Sequence, residues 1–84
     1  MAEDSHKVLV QYFAVLRENA GIAEEELWTH ATSASELYEE LRERHGFCLG
    51  QAQLKLVVNE EFCDWSHPVQ QGDTIVFIPP VAGG

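Results

Sequence analysis

At 84 residues the chain is one domain, of a size that buries roughly 60 to 65% of its unfolded surface, and its 45% hydrophobic content excludes a disordered segment. A formal net charge of −9, with only five Lys and Arg scattered along the chain, makes it a poor nucleic-acid binder and favours a basic protein partner. No apolar run approaches a membrane span, and the polar residues 1–6 carry no secretory or transit signal, so a cytoplasmic location is expected.

The first predicted element is a strand over residues 7–14. Val8, Val10, Tyr12 and Ala14 fall on one face, while Lys7, Leu9, Gln11 and Phe13 fall on a mixed face expected to point outward. Phe13 then projects from the sheet, and joined to other apolar groups it would mark a docking patch. Residues 15–21 read as a short connection with a helical turn, in which Leu16 caps the core and Asn19 and Gly21 end the turn. A second strand over 24–31 rests on Leu27, Trp28 and Thr29, after three consecutive glutamates that read as a solvated edge. The strongest helix begins at Ser33, whose spacing to Glu36 is that of a capping box; Leu37, Tyr38 and Leu41 share one face, and Gly46 supplies the stop. Glu36, Glu39, Glu40 and Glu43 are expected to face water, with Glu40 and Arg44 as an i,i+4 pair.

After an irregular stretch at 47–53, a strand over 54–58, a turn at Asn59, Glu60 and Glu61 and a return strand over 62–64 read as a hairpin. A loop over 66–73 leads into the β-branched and aromatic run 74–78, a buried strand. The order is ββαββ, an α+β chain with one main helix. That helix can be buried only against one face of a mixed sheet, with the first and last strands as central parallel neighbours.

Pro79 and Pro80 end the last strand, because proline cannot donate to a ladder and its φ is fixed; residues 79–84 are expected to leave the body as a stiff, polyproline-like stem. Only Val81, Ala82, Gly83 and Gly84 follow, a peptide thin enough to thread into a narrow channel, and fully extended the tail reaches roughly 20 Å. The chemistry is expected at its end. The motif Pro79-Pro80-Val81-Ala82-Gly83-Gly84, and independently the segment Phe13-Ala14-Val15-Leu16-Arg17-Glu18, resemble the small, sulfur-carrying subunit of molybdopterin synthase, the MoaD family, which has a ubiquitin-like β-grasp fold. The likeness runs from Lys7 to Gly84 and includes Asn59, His67-Pro68 and Gly72-Asp73. It implies a single β-grasp domain over 1–84, with 1–6 as a polar leader and 79–84 as an extended tail.

The resemblance also implies a role. The carboxylate of Gly84 would be adenylated by an E1-like adenylyltransferase of the MoeB type using ATP, and a sulfur donor protein would displace AMP to leave a thiocarboxylate. That group would enter the large catalytic subunit of molybdopterin synthase and give its sulfur to cyclic pyranopterin monophosphate. A dithiolene needs two sulfurs, so a heterotetramer of two small and two large subunits is implied, with the catalytic acid and base on the large one. Gly84 would be the covalent carrier and Gly83 the residue without a side chain that lets the channel close. Val81 and Ala82 would line the channel behind the Pro79-Pro80 stem, and Phe13, Phe62 and Ile78 occupy positions of the family's apolar docking face. The alternation of the first and last strands independently turns Phe13 and Ile78 outward; Phe62 fits docking and ordinary packing equally.

The remaining chemistry-bearing residues form no site in the sequence. His6, His30, His45 and His67 lack the spacing of a zinc site and read as surface or loop residues, so no metal and no tightly bound cofactor is expected. Cys48 and Cys63 could pair, but a reducing compartment favours free thiols, and neither has a neighbour that would lower its pKa. There is no glycine-rich phosphate loop and no nucleophile elbow, so the domain is expected to catalyse nothing by itself. Three other readings share the features described: a β-grasp sulfur carrier for thiamine, cysteine or transfer-RNA thiolation, a ubiquitin-like protein modifier, and a β-grasp binding module with an inert tail.

Overall fold

The computed structural model describes residues 5–80. Its elements run β1 (His6–Tyr12), α1 (Ala14–Ala20), β2 (Glu24–Thr29), α2 (Ala34–His45), a short 3-10 turn at Gln51–Gln53, β3 (Lys55–Val58), β4 (Glu61–Cys63) and β5 (Thr74–Ile78). The sheet has the order β2-β1-β5-β3-β4, with β1 and β5 parallel and the other neighbours antiparallel. The first and last strands are therefore central parallel neighbours, as the pattern required, and the α+β arrangement is that of a β-grasp. The three strands read after the main helix all form, one more than the order ββαββ counts, and a helix stands where a connection was expected, so the order is βαβαβββ.

The unexpected helix is α1. Phe13 is extended at φ −129 and ψ 153, Ala14 turns the chain with a φ of 52, and Gly21 ends the helix in the left-handed region at φ 79, donating its N–H to the Arg17 carbonyl. Leu16 is fully buried and Val15 and Ala20 pack partly against the core beside it, which pins this helix of about two turns to the body. A seven-residue segment with one buried side chain has almost no amphipathic period, which is why it reads as a loop.

The core lies between one face of the sheet and α2. Val8, Val10 and Tyr12 of β1, Leu56 and Val58 of β3, and Ile75 and Phe77 of β5 meet Leu37, Tyr38 and Leu41 of α2 in one buried cluster. The Tyr38 ring packs edge-on against Phe77 at 5.0 Å, and its hydroxyl donates to the Leu49 carbonyl at 2.6 Å. Burial pushes the Tyr38 phenol up to about 12. Ser33 caps α2 by accepting from the Glu36 N–H, while the Glu36 carboxylate takes the Thr32 N–H and hydroxyl in place of the Ser33 N–H of a capping box.

Two expectations about surface groups change. Glu25, one of three glutamates expected on a wet edge, is mostly buried, and Glu40 accepts from the Thr29 hydroxyl at 2.8 Å rather than facing only water. The β3–β4 hairpin closes through Asn59 and Glu60, both at positive φ (51 and 74), so Glu61 belongs to β4 and not to the turn. Asp73 is buried and orders the loop before β5, accepting from the Asn59 side-chain amide and the Gln70 N–H.

Candidate functional site

The sheet face away from α2 carries no helix, and the strand registers say which residues share it. Lys7, Leu9 and Gln11 on β1 continue to Phe13, whose extended backbone keeps the alternation. Leu9 pairs with Thr74 and Gln11 with Val76 on β5; Val76 pairs with Val57 on β3, and Val57 with Phe62 on β4. Directly paired residues point to the same side, so Gln11, Val76, Val57 and Phe62 form one row across the open face. Ile78 and its register partner Lys55 lie on the next row toward the end of β5.

This places the three predicted docking residues together. Phe13 is 48% exposed and Phe62 is 75% exposed, while Ile78, Val76 and Val57 are half-buried beside them. An exposed phenylalanine alone means little, but two that frame a patch of Val57, Val76 and Ile78 make an apolar surface of the kind that marks a docking site. The packing alternative for Phe62 is removed by its exposure. The turn at Ala14 is what keeps Phe13 on this face: a left-handed residue directly after it sends the chain into α1 and drops Leu16 into the core on the other side.

Trp28 belongs to the same face and was not foreseen there. It pairs with Lys7, is 60% exposed, and lies at the corner farthest from Ile78, next to the Lys7–Glu26 ion pair at 3.6 Å. Glu24, Glu26 and Trp28 alternate along β2, and that period of two was the available signal.

The stem begins at the same end of the sheet as Phe13 and Ile78. Tyr12, which precedes Phe13, pairs with Phe77, and β5 ends one residue later at Ile78. Pro79 is buried and Pro80 is exposed. The predicted carrier residues Gly83 and Gly84 and the channel residues Val81 and Ala82 lie outside the described residues.

A second cluster, hidden from the sequence, lies on the core side. Tyr12 donates its hydroxyl to Glu25 at 2.5 Å and His45 donates from Nε2 to the same carboxylate oxygen at 2.7 Å, tying β1, β2 and the end of α2 together. Burial alone raises the Glu25 carboxyl, but the hydrogen bonds from Tyr12 and His45 and the charges of His45 and Arg44 outweigh it and hold the carboxyl below its ordinary value. Burial, and then the bond to Glu25, pushes the Tyr12 phenol far up. His45 is thus no surface histidine: its ring packs against both the Tyr12 and Phe47 rings, which also touch each other. The cluster faces the core rather than a cleft, and it serves packing.

Among the described residues, no group of three or more His, Cys, Asp and Glu could hold a metal ion, and no helix is long and apolar enough to cross a membrane. Cys48 and Cys63 are both free, the first exposed and the second half-buried with its thiol on the Glu61 carbonyl.

Comparison with known proteins bears on this geometry. Residues 10–84 match the ThiS family. The chain is 33% identical over 87 residues to a molybdopterin synthase sulfur carrier subunit of Anopheles gambiae, covering 96% of each chain. It is 29% identical over 80 residues to the protein of the same description from Escherichia coli, covering 92% of this chain and 99% of that one. Among solved structures, a candidate molybdopterin converting factor subunit 1 from Pyrococcus furiosus superposes with a TM-score of 0.76 at 31% identity, over 90% of this chain and 99% of the other. Subunit 1 in a Helicobacter pylori complex of subunits 1 and 2 of molybdopterin-converting factor superposes at 0.62 and 28%, over 93% and 99%. The small archaeal modifier protein 1 of Methanosarcina acetivorans, at 22% identity and a TM-score of 0.77 over 95% and 98%, shares the fold.

Proposed function

This chain belongs to the ThiS family, and from that premise we propose that it is the sulfur-carrier subunit of a molybdopterin synthase, a non-catalytic protein whose C-terminal glycine carries the sulfur. The observation that carries the reading is spatial. The apolar patch of Phe13, Phe62 and Ile78 lies at the end of the sheet from which the Pro79-Pro80 stem departs. A partner seated on that patch receives the last four residues at its surface, and extended they reach roughly 13 Å into it.

The chemistry follows from what a carboxylate can do. Its charge is delocalised and oxide is a hopeless leaving group, so Gly84 must be activated before it can accept sulfur. An E1-like enzyme supplies the activation by joining the carboxylate to the AMP of ATP with release of pyrophosphate. The outer sulfur of a donor protein's persulfide then attacks the acyl carbon and AMP leaves, giving an acyl disulfide. A thiol cleaves its S–S bond, keeping the donor's sulfur as a disulfide and releasing a thiocarboxylate that stays ionised at neutral pH and is a soft nucleophile. Inserted into the large subunit, it transfers sulfur to cyclic pyranopterin monophosphate, and two carriers acting in turn complete the dithiolene. The partnership of subunits 1 and 2 in the Helicobacter pylori complex supports a large-subunit partner of this kind, and an assembly of two small and two large subunits fits the two-sulfur requirement. Gly83 gives the partner backbone to close around, without a Cβ in the way.

Intact mass tests the reading directly. After incubation with an activating enzyme, ATP and a sulfur donor, the wild-type chain should gain one sulfur for one oxygen, whereas a chain lacking Gly84 should not, with the same melting temperature. An unchanged wild-type mass would refute the carrier chemistry. The large subunit that co-purifies identifies the acceptor, and isopeptide conjugates to lysines of other proteins would point instead to a modifier.

A further inference from the structure

Lys55 is out of place on the docking face. Of the five Lys and Arg in the chain, Lys7, Arg42 and Arg44 are each spent on one of the chain's own carboxylates, Glu26, Glu39 and Glu40. Arg17 lies on α1, off the sheet. Lys55 is exposed, its ammonium makes no ion pair or hydrogen bond among the described residues, and it stands on the open face directly beside Ile78, with Val57 next on its own strand. Among the described residues the Lys55 ammonium has no carboxylate within ion-pair distance, although Asp64 lines the same shallow hollow, and it stands at the stem end of the apolar patch.

We propose that Lys55 meets an Asp or Glu carboxylate on the large subunit, next to the point where the stem enters, and that this pair sets which large subunit the carrier accepts. The inference rests on the docking role given to Phe13, Phe62 and Ile78. A partner that covers Ile78 and Val57 also strips water from the ammonium between them, and an ammonium taken out of water without a counter-charge is strongly unfavourable. Because the carrier is acidic, its general attraction is to basic surfaces; a carboxylate opposite Lys55 is a local exception that only the correctly registered complex satisfies. Wrong partners are rejected by leaving the charge buried and unpaired.

The test uses the full chain and the large subunit that co-purifies with it, with dissociation followed after a fast dilution. Lys55→Met removes the charge and keeps the length of the stem, and it should dissociate at least about 30-fold faster, with association no slower and the melting curve unmoved. Lys55→Arg, which keeps the charge, should stay much closer to wild type, and Lys55→Glu should be weaker than Lys55→Met. If Lys55→Met dissociates at the wild-type rate or more slowly, the ammonium escapes to solvent in the complex and the inference fails while the carrier reading stands. If the wild-type chain binds no large subunit, both fail together.

Discussion

Phe13 and Phe62 are large apolar side chains left 48% and 75% exposed by a protein that buries every other phenylalanine, so their contribution to folding is small and the role proposed for them is docking. Phe13→Asp is expected to weaken large-subunit binding by about 30-fold or more while changing folding stability by about 1 kcal/mol or less, measured by titration beside a melting curve. A collapse of the melt would place Phe13 in the core. Glu25 is the opposite case, a charged residue whose work is structural. Its carboxyl is held below the ordinary 4.5 in the folded chain, so its stabilising contribution is present above that pH and is lost as the pH falls through the folded value. Glu25→Gln is expected to cost about 1–3 kcal/mol at neutral pH, because Tyr12 and His45 lose an ionised acceptor. It should also flatten the fall in melting temperature below about pH 4.5. If the acid limb of the variant matches that of wild type, Glu25 does not titrate as described.

The elements differ in how much local sequence supports them. α2 has a cap, an apolar stripe and a glycine stop in agreement, and it forms where the pattern puts it. The β3–β4 turn is less well matched: Glu60 sits at φ 74 with no side-chain bond among the described residues to justify it, whereas Asn59 uses its amide on Asp73 and Thr74. Glycine adopts that φ without steric cost, so Glu60→Gly is expected to stabilise the chain by up to about 1 kcal/mol, or a few degrees in melting temperature. A destabilised variant would mean that the turn's geometry is not what limits it. The last strand has two jobs. Ile75 and Phe77 fill the core, Val76 and Ile78 surface the proposed docking face, and the register with β1 and β3 carries both assignments to the foot of the stem.

At the scale of the molecule, a net charge of −9 is expected to draw the carrier to a basic partner, so raising salt from about 50 to 500 mM should slow association by about tenfold or more and leave dissociation far less changed. Equal association rates at both salts would remove steering from the account. The amino-acid sequence alone determined the β-grasp class, the strand faces of β1 and β5, the cap and stop of α2, and the tail motif, because each rests on residues close together in the chain: alternation, capping spacing, two prolines and two glycines. Only the tertiary structure decided what distant segments do to one another. It made a helix of residues held chiefly by Leu16, took Glu25 and His45 from the surface into a cluster with Tyr12, put Trp28 and Phe62 at the rims of one face, and set Lys55 beside Ile78. Those facts depend on strand register and on which side chains share a desolvated space, and a local pattern carries no information about either.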